Sequence, residues 1–179
     1  MTTGSSVASE RISDRVVDVR VPGLLLGVGL GGFVDGIVLH QILQWHHLLS
    51  STDSDRAGLA TYPVDTVAGL QANTLADGLF HAGSFVAVIA GLVLLTGRTS
   101  RGSRPWASRA LWGWVLAGWG VFNLVEGLVN HHLLGIHHVR AGEHEALYDV
   151  GFLVFGALLV ACGWLIQRSA RVVGSAVHQ

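Results

Sequence analysis

The chain has 179 residues, 50% of them hydrophobic and 13% charged, with a formal net charge of −1 and a mean hydropathy of +0.50. That balance is too apolar and too poor in charge for an ordinary soluble domain, and it points to a bilayer. A single cysteine, Cys162, excludes an internal disulfide and a thiolate-rich metal site, and a single methionine, the initiator, excludes thioether copper binding.

Residues 1–20 read as a polar cytoplasmic tail with no short apolar core and small-residue cleavage site, so no removable signal peptide is expected. The first predicted helix spans about 22–47, interrupted by Asp35. A long connection follows, with a turn at Thr61-Tyr62-Pro63. The second helix, about 70–97, has no Asp, Glu, Lys or Arg between Gly78 and Gly97. The third, about 108–133, is interrupted by Glu126, and the fourth, about 145–168, is free of such charges from Val150 to Gln167. Runs of this length cross roughly 30 Å of hydrocarbon. A soluble four-helix bundle is disfavoured because these helices lack a polar face. A second polar tail occupies 169–179.

All eleven basic residues are arginines. Arg11, Arg15, Arg20, Arg98, Arg101, Arg104, Arg109, Arg168 and Arg171 flank one side of the predicted spans, while Arg56 and Arg140 fall on the other with Asp53, Asp55, Asp65, Glu143 and Glu145. The excess of positive charge carried by cytoplasmic loops then places both termini inside and makes the chain a multi-pass inner-membrane protein. Trp45, Trp106 and Trp164 fit interfacial anchors.

The chain repeats itself. Asp35-Gly36 followed by His40 and, five residues on, His46-His47 recurs as Glu126-Gly127, His131 and His137-His138, all at an offset of 91. A softer match joins Leu75-Ala76-Asp77-Gly78-Leu79-Phe80 to Leu147-Tyr148-Asp149-Val150-Gly151-Phe152. The expected fold is therefore all-α, an integral membrane four-helix bundle built from two parallel repeats of a helical pair, with any shared site between the halves. Small residues at four-residue spacing (Gly32, Gly36; Gly83, Ala87, Gly91) and at seven (Gly113, Gly120, Gly127) read as helix-packing positions.

With that orientation, the ionisable groups of all four helices fall at one depth, toward the outer side. Asn73, Asp77, His81 and Ser84 form one stripe on the second helix, and Asn123, Glu126 and Asn130 another on the third. A charged Asp at a helix centre costs about 2.5–3.5 kcal/mol on insertion scales, so such a set needs a reason. Three exist: neutral groups that fasten helices together, a bound cation, or a proton relay. Metal binding leads, because histidine with carboxylate is the ligand set of zinc, iron or copper(II), and Asp77 with His81 puts both on one helical face. The expected ligands are His40, Asp77, His81, His131 and His144, with Asp35, Glu126, Asn130 and Asp149 neutralising charge or orienting rings, and with these four and His46, His47, His137 and His138 as outer partners or alternative ligands. One difficulty stands. Asp35 and His40, like Glu126 and His131, are five apart, about 140° round an α-helix. The doublets His46-His47 and His137-His138 are expected at or beyond the outer interface, as a metal-entry funnel or as hydrated imidazoles; His132 is expected to be peripheral and His178 to carry no site.

The stretches Gly32-Phe33-Val34-Asp35-Gly36 through Gln44-Trp45-His46-His47, Asp77-Gly78-Leu79-Phe80-His81 and Asn130-His131-His132 through His137-His138 resemble domain-of-unknown-function family 2243, small bacterial four-helix membrane proteins, over nearly everything after Arg20. The resemblance implies no established activity, and a link to copper handling or respiratory-complex assembly is its loosest implication.

The expected function is transition-metal binding in a handling or assembly role. The alternatives are a membrane oxidoreductase using iron or copper on a lipid-like substrate, a haem bundle, and a purely structural polar cluster. The spaced HxxHH-type boxes of membrane desaturases are missing. The expected partners are the lipid bilayer and a second copy or another membrane protein, with no nucleic acid.

Overall fold

The structure is a computed structural model and describes residues 17–50, 62–99 and 108–176. Arg11, Arg15, Asp53, Asp55, Arg56, Thr61, Arg101, Arg104, Trp106 and His178 lie outside the described residues.

The apolar runs become four long helices, and every element among the described residues is helical. Helix α1 (Arg20–Val34) continues without a break into a π-helical segment, π1 (Asp35–Ile42). Helix α2 is Val67–Thr99. Helix α3 (Ser108–Glu126) continues into a second π-helical segment, π2 (Gly127–Leu134), and α4 is Glu145–Ala176. Pro22 sits in the first turn of α1, where a missing N–H costs nothing. Three spans, Arg20–Ile42, Val67–Arg98 and Glu145–Ser169, are long and apolar enough to cross a membrane.

The helices pack in the order α2, α1, α3, α4, with α1 and α3 in the middle. Glycines make the central contact. A Cβ on Gly27 would meet the Val115 carbonyl oxygen and the Gly118 Cα, and one on Gly118 would meet the Leu24 carbonyl oxygen. Gly27 and Gly118 are themselves 91 apart, so the crossing lies on the axis of the repeat. Backbones approach this closely in lipid because dispersion replaces the hydrophobic effect between helices. Gly113, Gly120 and Gly127 seat α3 on α4, while Gly29, Gly32 and Gly36 seat α1 and π1 on α2. Gly91 packs on Leu26, but the space beside Gly83 is open, so Gly83 is no contact position.

The first span ends at Ile42, five residues short of the expected end at His47. Gln44 takes a left-handed conformation (φ 48°), and its counterpart 91 residues on, Gly135, does the same (φ 59°). Each chain reversal turns the following histidine doublet back toward the bundle. The two reversals then clasp each other: His46 Nδ1 donates to the Val139 carbonyl (2.9 Å), and His137 Nδ1 donates to the Leu48 carbonyl (3.0 Å).

Candidate metal centre

The π-helical segments remove the five-residue difficulty. A π-helix closes its hydrogen bonds from i to i+5, so residues five apart come round to the same face. His40 Nε2 lies 3.3 Å from Asp35 Oδ2, and His131 Nε2 lies 3.2 Å from Glu126 Oε1. In a regular α-helix residues five apart would point about 140° away from each other.

The outer nitrogens of these rings are held by two aspartates from the flanking helices. Asp77 on α2 accepts from His40 Nδ1 (2.9 Å), His47 Nδ1 (2.6 Å), the Leu48 N–H (2.9 Å) and Gln41 Nε2 (3.2 Å). Asp149 on α4 repeats this with His138 Nδ1 (2.7 Å) and the Val139 N–H (2.9 Å), and His131 Nδ1 lies 3.3 Å from it. The softer repeat, Asp77 against Asp149, is thus as functional in the geometry as the obvious one. Asn73, also buried, accepts from the Leu49 N–H and donates to the Tyr62 and Gly69 carbonyls, which fixes the first reversal on α2.

These partners decide the tautomers. A carbonyl or carboxylate oxygen only accepts, so each Nδ1 that it faces carries the hydrogen, and each Nε2 of a neutral ring carries the lone pair. For His40, His46 and His137 this puts a hydrogen on Nδ1 and turns Nε2 inward, whereas His131 Nδ1, 3.3 Å from Asp149 Oδ1, makes no hydrogen bond that would fix its tautomer. His40 Nε2, His46 Nε2, both ring nitrogens of His131 and Glu126 Oε2 are buried without a hydrogen-bond partner, while Glu126 Oε1 accepts a long bond from Asn130 Nδ2 (3.5 Å). His137 Nε2 sits 2.7 Å from Glu126 Oε1, a contact between two acceptors that requires a proton or a cation between them. Buried polar groups left this way are costly.

The four rings are enclosed, His40 and His137 at 0% exposure, His131 at 2% and His46 at 3%. His46 stacks on His137 with centroids 4.7 Å apart, and His40 and His131 stand edge-on to this pair at 4.4 Å from His46 and 4.9 Å from His137. His46 lies beyond the helical span. Burial pushes its imidazole down to about 2, with His137 and His40 adding to the effect, so its lone pair is free at neutral pH. Two sets of donor atoms lie within 4.8 Å of one another: His40, His46 and His137, and Glu126, His131 and His137.

The expected ligand residues separate in space. His40 and His131 are brought together at the centre, and Asp77 lies one layer out, facing the Nδ1 atoms. His81 is outside both sets: its Nδ1 bonds the Asp77 carbonyl of its own helix (2.7 Å), and its ring lies against Gly36, Phe33 and Phe80. His144 is exposed, beside Arg140 and Tyr148. The doublets do not lie together beyond the helix ends. The first of each, His46 and His137, is an inner residue that periodicity places outside the bundle; the second, His47 and His138, braces an aspartate. Asn130 approaches Glu126 Oε1 only at 3.5 Å, and His132 is exposed and bonds the Gly127 carbonyl. The signal for His46 and His137 was the equal five-residue gap in both copies, with Gly135 able to reverse the chain in the second.

Comparison with curated proteins and with solved structures finds no match. A family model does match, over residues 22–170, and the chain belongs to the family it describes, "Predicted membrane protein (DUF2243)".

Proposed function

We propose that this membrane protein binds one transition-metal ion between its two halves, through the Nε2 atoms of His40, His46, His131 and His137 with Glu126 and Asp35 as carboxylate donors. The observation that supports this is the pair of donor sets sharing His137, in which His40 Nε2, His46 Nε2, His131 Nε2 and Glu126 Oε2 are buried without a hydrogen-bond partner. A cation is the group that satisfies such a set. The carbonyls and aspartates behind each ring match the outer partners that orient metal-bound imidazoles and raise their basicity.

His137 belongs to both donor sets, but its Nδ1 hydrogen is committed to Leu48, which leaves a single lone pair. One neutral imidazole with one lone pair serves one ion, so the two sets describe a single centre. Histidine and carboxylate without sulfur suit zinc, copper(II) or iron alike. The arginine asymmetry favours a position near the outer leaflet with both termini inside, and a closed nitrogen-rich site there suits metal handling or delivery to a membrane complex.

Elemental analysis of protein purified without a histidine tag tests this. About one metal per chain is expected, lost in His46→Ala and His131→Ala and retained in His81→Ala, whose ring lies outside both donor sets. Equal trace metal in all four proteins would leave a cluster that only fastens helices through shared protons.

A further inference from the structure

A buried centre needs a way in, and among the described residues three openings touch its side chains. Two are walled by apolar groups, one at Asp35 and the other at Glu126. Their rims, Val34 and Val38 on one side and Val121 and Val125 on the other, are exposed on faces that meet acyl chains. An ion with its water shell does not arrive from hydrocarbon.

The third opening lies at the loop end of the bundle, between the first chain reversal and the start of α2. It encloses about 520 Å³ and presents Gln41, Gln44, His46, His47, Ser50 and Thr74, with no arginine in its lining. Six waters need roughly 180 Å³, so a fully hydrated metal ion fits. His46 is both a wall of this opening and a member of a donor set. Its neighbour His47 is oriented for capture. His47 Nδ1 donates to Asp77 Oδ2 at 2.6 Å, which leaves the lone pair of the neutral ring on Nε2. Asp77 is 1% exposed and the His47 side chain 14%, so the part of the ring open to the cavity is turned away from the carboxylate. A carboxylate behind an imidazole raises its basicity toward a metal. Gln41 gives an amide hydrogen to the same Asp77 and keeps its own oxygen as an acceptor.

The other half of the molecule lacks this arrangement. At the 91-residue offset Gln41, Gln44 and Ser50 become His132, Gly135 and Ala141. His138, the counterpart of His47, already has Glu145 Oε1 3.3 Å from its Nε2. At the 72-residue offset that relates Asp149 to Asp77, Glu145 becomes Asn73, whose side chain is taken up by Leu49, Tyr62 and Gly69, so among the described residues nothing caps His47 in the same way. The opening beside Arg140 and His144 includes no member of either donor set.

We propose that the cavity at His47 is the loading port of the metal centre: an aquated divalent transition-metal ion is caught there by His47 Nε2 with the amide oxygen of Gln41 or Gln44, and passes to His46. The port rests on the metal reading above and adds which half of the pseudo-symmetric bundle the ion enters through.

Stopped-flow uptake of Zn²⁺ by chelator-stripped, untagged protein in detergent tests this, with rate and final metal content read separately against a zinc indicator. Thr74 is an exposed residue of the port outside both donor sets, and Ala146 is its counterpart on α4. At low ionic strength Thr74→Lys is expected to load roughly tenfold more slowly than the unaltered chain and Thr74→Glu faster, the two converging at high salt and reaching the same final content. Ala146→Lys and Ala146→Glu load at the unaltered rate. His47→Gln, which replaces the imidazole by an amide, slows loading roughly tenfold at every salt concentration. Equal rates for the two Thr74 variants, equal shifts at positions 74 and 146, or a His47→Gln rate unchanged would overturn the port and leave the centre standing. No metal in any of the proteins would overturn both. Final content reads folding independently of rate, and lysine and glutamate act in opposite directions, so a misfolded variant cannot imitate the expected result.

Discussion

Asp77 and Asp149 face the outer nitrogens of the clustered rings. Each accepts from a backbone N–H and from the outer histidine of a doublet, and each faces an inner ring; the bond from His40 Nδ1 to Asp77 places that ring's hydrogen on Nδ1. Asparagine at position 77 keeps the shape but presents an amide N–H₂ to one of two N–H donors, and one ring must change tautomer. Asp77→Asn is therefore expected to weaken metal binding by about 10–100-fold while leaving the chain folded, as read by competition against a chelator. If the cluster only fastens helices, the same change lowers the thermal midpoint and no metal enters the comparison. The sequence held one hint about which polar residues pair across the repeat. At the 72-residue offset Asp77 meets Asp149, but His81 meets Leu153 and His144 meets Ala72, so neither histidine has a twin.

Among elements, the central crossing of α1 and α3 is the rigid part, since a Cβ at Gly27 meets backbone atoms of Val115 and Gly118 that cannot rotate away. Overpacking of this kind costs about 1–3 kcal/mol. Gly27→Ala is expected to lower the thermal midpoint in detergent clearly, and Gly83→Ala, with open space beside it, to leave the midpoint within error. The four spans and their repeat were legible because lipid demands long apolar runs and a duplicated polar motif stands out within them. The π-helical segments were not, since Asp35 to Ile42 and Gly127 to Leu134 have no composition that distinguishes an i+5 ladder from an i+4 one. Only the awkward five-residue spacing pointed there. The fold-back after Gln44 was equally hidden, because glutamine is an unusual residue for a left-handed position, whereas Gly135 is a favoured one.

Across the whole molecule, the His40, His46 and His137 set draws on both repeats, whereas Glu126, His131 and His137 all come from the second. The centre takes His40 and His46 from one repeat and His131 and His137 from the other, and the reciprocal bonds to Val139 and Leu48 join the two reversals. Arg140, over the rings of Trp45 and Tyr148, adds a second tie across the halves. Residues 1–103 expressed alone are expected to retain no metal, and co-expression with residues 104–179 to restore it, as measured by elemental analysis of the co-purified pieces.

The central claim, that four Nε2 atoms converge on one ion, is tested most directly by zinc-edge X-ray absorption of untagged, zinc-reconstituted protein. Nitrogen and oxygen neighbours are expected at about 2.0–2.1 Å with strong outer-shell scattering from several imidazoles, reduced in His46→Ala and His137→Ala and unchanged in His81→Ala. Zinc held without imidazole scattering, spectra identical in all variants, or no zinc retained at all would contradict it.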